Sequence, residues 1–218
     1  MARRTRPLGD PEQVSTTIDG TGGRVFLMSP AHCGGIRARQ LCHAAARFDL
    51  AQRLRAAGGA PLGDVFSFMS GLYFRGKLTY ARAFASGPAD MLVITPSDGL
   101  LRADRCIGLD DLSRFAAVKV DADDLRYRLP LERDGTALAR RIGALAEVVL
   151  LGSLATTKYL SILEPIFGPR LRVPQDFIGR GDMSRGALLL RAVRAQCELD
   201  YIPAAALGAG TRTGTLRP

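Results

Sequence analysis

The residues of this sequence that can do chemistry gather where short apolar runs end. His32 and Cys33 close Arg24-Val-Phe-Leu-Met-Ser-Pro-Ala-His-Cys-Gly-Gly35, Ser97 and Asp98 close Met91-Leu-Val-Ile-Thr-Pro-Ser-Asp-Gly99, and Ser153 closes Glu147-Val-Val-Leu-Leu-Gly-Ser153. A carboxylate at a strand end, as Asp98 would be, can orient a sugar hydroxyl, activate water or steady an oxocarbenium-like sugar. Asp-Gly is equally a common turn pair, so a structural role for Asp98 stands beside the catalytic one. A histidine is the side chain suited to giving or taking a proton near neutral pH, a role open to His32, with Ser29 and Cys33 as neighbours that contact substrate. Side chains adjacent in sequence point apart, so His32 and Cys33 do not make a thiol nucleophile pair.

Cations supply the second half of the chemistry. Met69-Ser-Gly-Leu-Tyr-Phe-Arg-Gly-Lys77 carries Tyr73, Arg75 and Lys77 just before a periodic segment. It reads either as a junction that aims N–H groups and cations at an anion or as a helix-start loop anchored by its aromatic residues. In the first case Tyr73 would stack on a base. Ser153 and Lys158 follow a strand and open a helix, as a phosphate cradle does, but the Gly-Lys-Ser/Thr order of a P-loop is missing. Phe177-Ile-Gly-Arg-Gly-Asp-Met-Ser-Arg-Gly186 places Arg180 and Arg185 around a helix start that Asp182 or Ser184 would cap, where the helix dipole already favours an anion. Arginine, with its two-point fork, suits phosphate recognition.

Elements must bring these residues together. Helical spacing of apolar residues marks residues 36–57, 78–85, 110–115, 136–146, 157–166 and 183–195, the first of them rich in arginine. Strands are expected in 24–28, 91–95, 117–121, 147–151 and 171–174, with an edge strand in 198–202 and a loop over 127–131. Strands alternating with helices predict an α/β fold, a three-layer domain with a mostly parallel central sheet of about five strands flanked by helices. Residues 1–22, without periodicity and with early arginines, read as a flexible basic arm, 23–205 as a single domain and 206–218 as a tail.

The totals narrow the function classes. The chain has 218 residues, a net charge of +9 and a pI near 10.0, so its field attracts polyanions. Its apolar runs are shorter than the roughly 18 residues of a membrane span, and no secretory leader is evident, which predicts a cytoplasmic protein without a membrane partner. Cys33, Cys42, Cys106 and Cys197 lack metal-ligand or disulfide-framework spacing, so neither a metal nor a cofactor is expected.

Ser29-Pro-Ala at the first strand end, Met69-Ser-Gly-Leu-Tyr-Phe-Arg-Gly-Lys77 before a helix, Ser97-Asp-Gly-Leu-Leu-Arg-Ala-Asp104 after a strand, and Lys158-Tyr159 after a late strand resemble the peroxide-stress YaaA family and its smaller relatives. The resemblance is one of layout and short motifs over residues 24–195. It implies contact with DNA or nucleotides, and with the positive charge the expected partner is DNA, RNA or a nucleotide. The expected activity is cleavage or exchange of an N-glycosidic bond, or modification of a base, with Asp98 and His32 as catalytic groups and Lys77, Lys158, Arg180 and Arg185 on phosphate. The alternative is a non-catalytic DNA-binding or protection protein that relies on backbone electrostatics, in which the arginines of 36–57 outweigh Asp98.

Overall fold

A computed structural model describes residues 23–154 and 157–209; the expected arm at 1–22 and the end of the tail, 210–218, lie outside these residues. The chain opens with β1 (Arg24–Met28), then α1 (Ile36–Cys42), α2 (Asp49–Arg55), β2 (Ala60–Pro61), α3 (Leu62–Ser70) and α4 (Leu72–Phe84). Next come β3 (Met91–Ile94), β4 (Leu100–Arg102), β5 (Cys106–Ile107), α5 (Leu109–Ala116) and α6 (Leu125–Arg141). It closes with β6 (Glu147–Leu151), α7 (Thr157–Phe167), β7 (Leu171–Pro174), α8 (Asp182–Arg194), β8 (Tyr201–Pro203) and α9 (Ala206–Ala209).

Among the described residues the main sheet has six strands in the order β4-β3-β1-β6-β7-β8, and β2 pairs with β5 in a separate ribbon. The four central strands are parallel, and β4 and β8 are antiparallel edges. Because side chains alternate across a strand, Phe26 and Met28 face one layer and Val25 and Leu27 the other. The first layer buries α1 to α5 and α8 against Phe26, Met28, Val93, Val149 and Leu151. The second buries α6 and α7 against Val25, Leu27, Ile94, Val148 and Leu150. Central strands apolar on both faces are what a parallel sheet covered by helices requires.

Four expectations are corrected. Residues 36–57 form two short helices, because Arg55 donates to the carbonyls of His43 and Ala46 and so satisfies a turn where a continuous helix would run. Residues 117–121 are not a strand: the edge beside β3 is taken by β4, and Val118 and Val120 pack instead on the second core layer. Residues 127–131 are helical, inside α6. Asp124 caps that helix through Arg126 N–H at 3.0 Å, and burial of Tyr127 and Leu131 outweighs the hydrogen bond that Pro130 cannot donate. Residues 69–77 contain no loop beyond the single Gly71, at φ 66°, which separates α3 from α4.

Helices α4 and α8 pack at backbone contact. A Cβ on Gly76 would stand 2.8 Å from the Gly186 carbonyl oxygen, and one on Gly186 would stand 3.0 Å from that of Leu72. The crossing brings Tyr73 of one helix up to Arg185 of the other.

Candidate functional site

In an open parallel sheet a ligand crevice forms where the connections leaving two neighbouring strands go to opposite faces. Here that point lies between β1 and β6. After β1 the chain moves to helices of the first layer, and after β6 to α7 in the second. Ser29 stands at this point, its N–H bonded to Leu151 O at 3.1 Å. Gly152 leaves it room, since a Cβ there would come within 3.3 Å of Ser29 Cβ.

Lys77 reaches the same spot from α4. Its position in the helix, four residues after Tyr73 and three after Phe74, lies on the buried stripe, so the ammonium is driven inward with its apolar neighbours. Only 1% of the residue is exposed. Nζ donates to Ser29 O at 2.6 Å and lies 2.8 Å from Ser29 Oγ, with the rings of Tyr73 and Phe74 at 4.4 and 4.9 Å. No carboxylate pairs with it among the described residues. Burial brings the amine down from an ordinary value near 10.5 to about 7; Asp182 pulls weakly the other way and Lys158 adds to the fall. Nζ donates to both groups, the Ser29 carbonyl and the Ser29 hydroxyl oxygen, which leaves the hydroxyl proton free to point to Tyr159.

Tyr159, 3% exposed, stands on the other side of Ser29. Burial raises its phenol, and the Ser29 hydroxyl offsets part of the rise. Tyr73 is raised by the same cause, and among the described residues its hydroxyl has no hydrogen-bond partner, although the Arg185 guanidinium is near. Lys77, Ser29 and Tyr159 therefore form a short chain of exchangeable protons that starts in the core and ends at a cavity.

That cavity, about 560 Å³, opens over the carboxyl end of β1 and is lined by His32, Cys33, Lys119, Arg126, Lys158 and Tyr159 together with backbone around Ala31 and Ala117. Its size is within the range of small-molecule sites. Among the described residues no carboxylate lines it. Arg126 and Lys119 are paired with Asp124 and Asp121, while among the described residues Lys158 has only the Tyr159 ring at 5.2 Å. His32 is exposed, its ring laid over Gly34 and Gly35, where a Cβ on Gly35 would approach Cδ2 to 3.3 Å. Cys33 is buried, with Sγ 3.5 Å from Ala31 O and its thiol pushed up to about 12 by burial, which keeps it protonated and unreactive. No protein-family model, curated protein or solved structure matches this chain. The chemistry of the edge is therefore that of the groups it assembles.

Of the residues expected at the site, Ser29, His32, Cys33, Tyr73, Lys77 and Lys158 come together around β1 and α7, and half-buried Ser153 follows the adjoining end of β6. Asp98 belongs to a different structure, the turn joining β3 to β4. Thr95 Oγ1 accepts from Asp98 N–H at 3.0 Å and donates to Gly99 O at 2.9 Å, and Gly99 takes φ 68°. The Asp98 carboxylate accepts from Ser97 Oγ at 2.6 Å and from Arg114 at 2.9 Å, and it does not line the cavity.

The arginines of the last loop are also engaged. Arg185 is buried and gives Nε and Nη2 to Phe177 O, each at 3.2 Å, and Nη1 to Asp182 at 3.3 Å. Asp182 is the first residue of α8 rather than its cap; Gly181 occupies that place without a side-chain bond, and Ser184 lies inside the helix. Arg180 and Arg75 are exposed, Arg180 donating to Ser184 Oγ at 3.4 Å. Sequence reasoning missed Tyr159, Arg126 and Lys119 as site residues. Tyr159 had a visible signal in its place beside Lys158 after a strand; Lys119 sits in the segment misread as a strand, and Arg126 just before the one misread as a loop.

Proposed function

We propose that the protein acts on a nucleotide, or on a nucleotide unit of a nucleic acid, and cleaves or exchanges its N-glycosidic bond or modifies its base. One observation carries this reading: a buried amine without a carboxylate partner among the described residues sits under a basic, nucleotide-sized cavity at the switch point of the sheet. Perturbed titratable groups in such crevices are characteristic of acid–base sites. Phosphate oxygens are held by Lys158 and Arg126. Tyr159, which lines the cavity, gives a proton to the departing base, and His32 at the rim takes one from the water that adds to the sugar carbon. The base leaves with the bonding electron pair and the proton. Lys77 does not touch the substrate; through the Ser29 hydroxyl it restores and tunes the Tyr159 proton, and so acts as a positioning residue.

Chromatography of mononucleotides and of single- and double-stranded oligonucleotides after incubation with the protein tests the reading. Released or altered base is expected with the wild type, reduced by ~100-fold or more in Lys77→Met, with the pH dependence of turnover flattened around neutrality. Full recovery of every substrate class after saturating incubation would remove the catalytic reading.

A further inference from the structure

The α1–α2 segment carries a charge pattern that the cavity does not explain. Arg37, Arg39, Arg47, Arg53 and Arg55 stand there against one carboxylate, Asp49. Among the described residues only Arg53 pairs with it, at 3.5 Å across an exposed helical turn. The others donate to backbone carbonyls: Arg37 to Phe68 at 3.2 Å, Arg39 to Gly34 at 2.9 Å, Arg47 to Ala44 at 3.0 Å, and Arg55 to His43 at 3.2 Å. A carbonyl fixes where a guanidinium points but cancels none of its charge, so this face keeps a fixed positive potential.

An aromatic plane lies within it. Phe48, 40% exposed, stacks on Phe68 with centroids 5.2 Å apart and an interplanar angle of 23°. Phe68 is packed against the first core layer, so it backs Phe48 as a rigid support. Arg47 precedes Phe48 in the chain, and Arg37 is tied to the Phe68 carbonyl behind it. Arg39 is tied in turn to Gly34, which lines the cavity.

We propose that this face is a binding track for single-stranded nucleic acid: a base stacks on the free side of Phe48, the flanking phosphates rest on Arg37 and Arg47, and the strand passes Arg39 toward the cavity. A ring needs an open base face to stack on, which a single strand offers and an intact duplex does not, whereas guanidinium groups alone would take either. The inference rests on the proposed function only in making the nucleotide at the cavity part of a strand.

Fluorescence anisotropy tests it with a labelled oligothymidylate of about 16 nucleotides, the same strand as a duplex, and unlabelled thymidylate and phosphatidylserine vesicles as competitors, over a range of salt. The single strand is expected to bind more tightly than the duplex. Phe48→Leu, which keeps an apolar contact on Phe68 and removes the ring, should weaken it by ~5- to ~150-fold with an unchanged salt slope. Arg37→Gln with Arg47→Gln should weaken binding and flatten the slope of log affinity against log salt by ~1.4, about 0.7 for each phosphate that is no longer neutralised. Duplex binding as tight as the single strand, wild-type affinity in a folded Phe48→Leu, or displacement by vesicles would each overturn the track. Base release from mononucleotides, measured on the same variants, separates the two readings. If it persists while strand binding shows no Phe48 dependence, the track fails and the cavity stands; if strand binding behaves as expected and no base is released, the catalytic reading fails and the track stands.

Discussion

The two ends of β1 manage charge in opposite ways. At the amino end Arg24 donates Nε to Glu147 at 3.0 Å and Nη1 to Glu198, and Arg172 stands 3.0 Å from the other oxygen of Glu147. Glu198 also accepts from the Tyr201 hydroxyl at 3.2 Å, and Tyr201 meets Tyr80 at 2.5 Å. Each cation there has an anion. Five residues on, Lys77 is packed onto Ser29 with two aromatic rings and, among the described residues, no paired anion, and Lys158 faces a cavity that no carboxylate among those residues lines. Pairing lowers the cost of partial burial but uses the charge up; leaving a cation unpaired costs stability and keeps its charge, or its lone pair, available to a ligand. One end of the strand is built to hold the sheet together, the other to meet something.

The largest effect that would sharpen this contrast is a pH dependence confined to the carboxyl end. Folded Lys77 titrates near 7 and an unfolded lysine near 10.5. Between those values the unfolded chain holds a proton that the folded one lacks, so stability rises with pH across that window and is flat on either side of it. Against Lys77→Met, which has nothing to titrate, wild-type stability should improve by ~1.4 kcal/mol per pH unit. Urea unfolding of both proteins at several pH values between about 6 and about 9 measures this. A difference indifferent to pH would mean that Lys77 stays charged when folded, and the contrast between the two ends would collapse.

Glu147→Gln probes the other end and should have a smaller effect. Its carboxylate serves two guanidinium groups but is partly open to solvent, which screens it, so a loss of ~1–2 kcal/mol is expected, with base release and strand binding unchanged. Loss of activity in a protein that still folds would show the amino end to be more than a fastening.

Strand ends were easier to read in the sequence than the charges placed on them. Apolar runs ending in Ser29, Thr95 and Gly152 marked three parallel strands, because strands buried on both faces read as unbroken apolar stretches. Lys77 was legible as a site residue, but its burial was not: periodicity says that position 77 faces inward, whereas a lysine there argues for the surface, and only the fold, which sets Nζ on Ser29 between two rings, decides between them. Val118 and Val120 alternate like a strand, yet a strand also needs a free edge, and which edges are free depends on the whole sheet. Asp98 looked the same as a catalytic carboxylate or as a turn residue, since its partner Arg114 comes from a helix with no sequence mark linking the two.

Asp98→Asn is the smallest perturbation expected, and it tests where the carboxyl edge does its chemistry. The carboxylate is held by Ser97 and by an arginine that also has Asp111, so Arg114 keeps one anion when Asp98 is neutralised. An exposed pair of this kind contributes ~0–1 kcal/mol, and the amide can still accept from both donors. Stability should move by less than ~0.5 kcal/mol and base release by no more than a few-fold. A loss of turnover as deep as that of Lys77→Met, in a protein with unchanged unfolding, would move the reacting centre to the β3–β4 turn. Lys77 would then be a buried fastening like those at the amino end, and the two ends of β1 would differ in how they are held rather than in what they do.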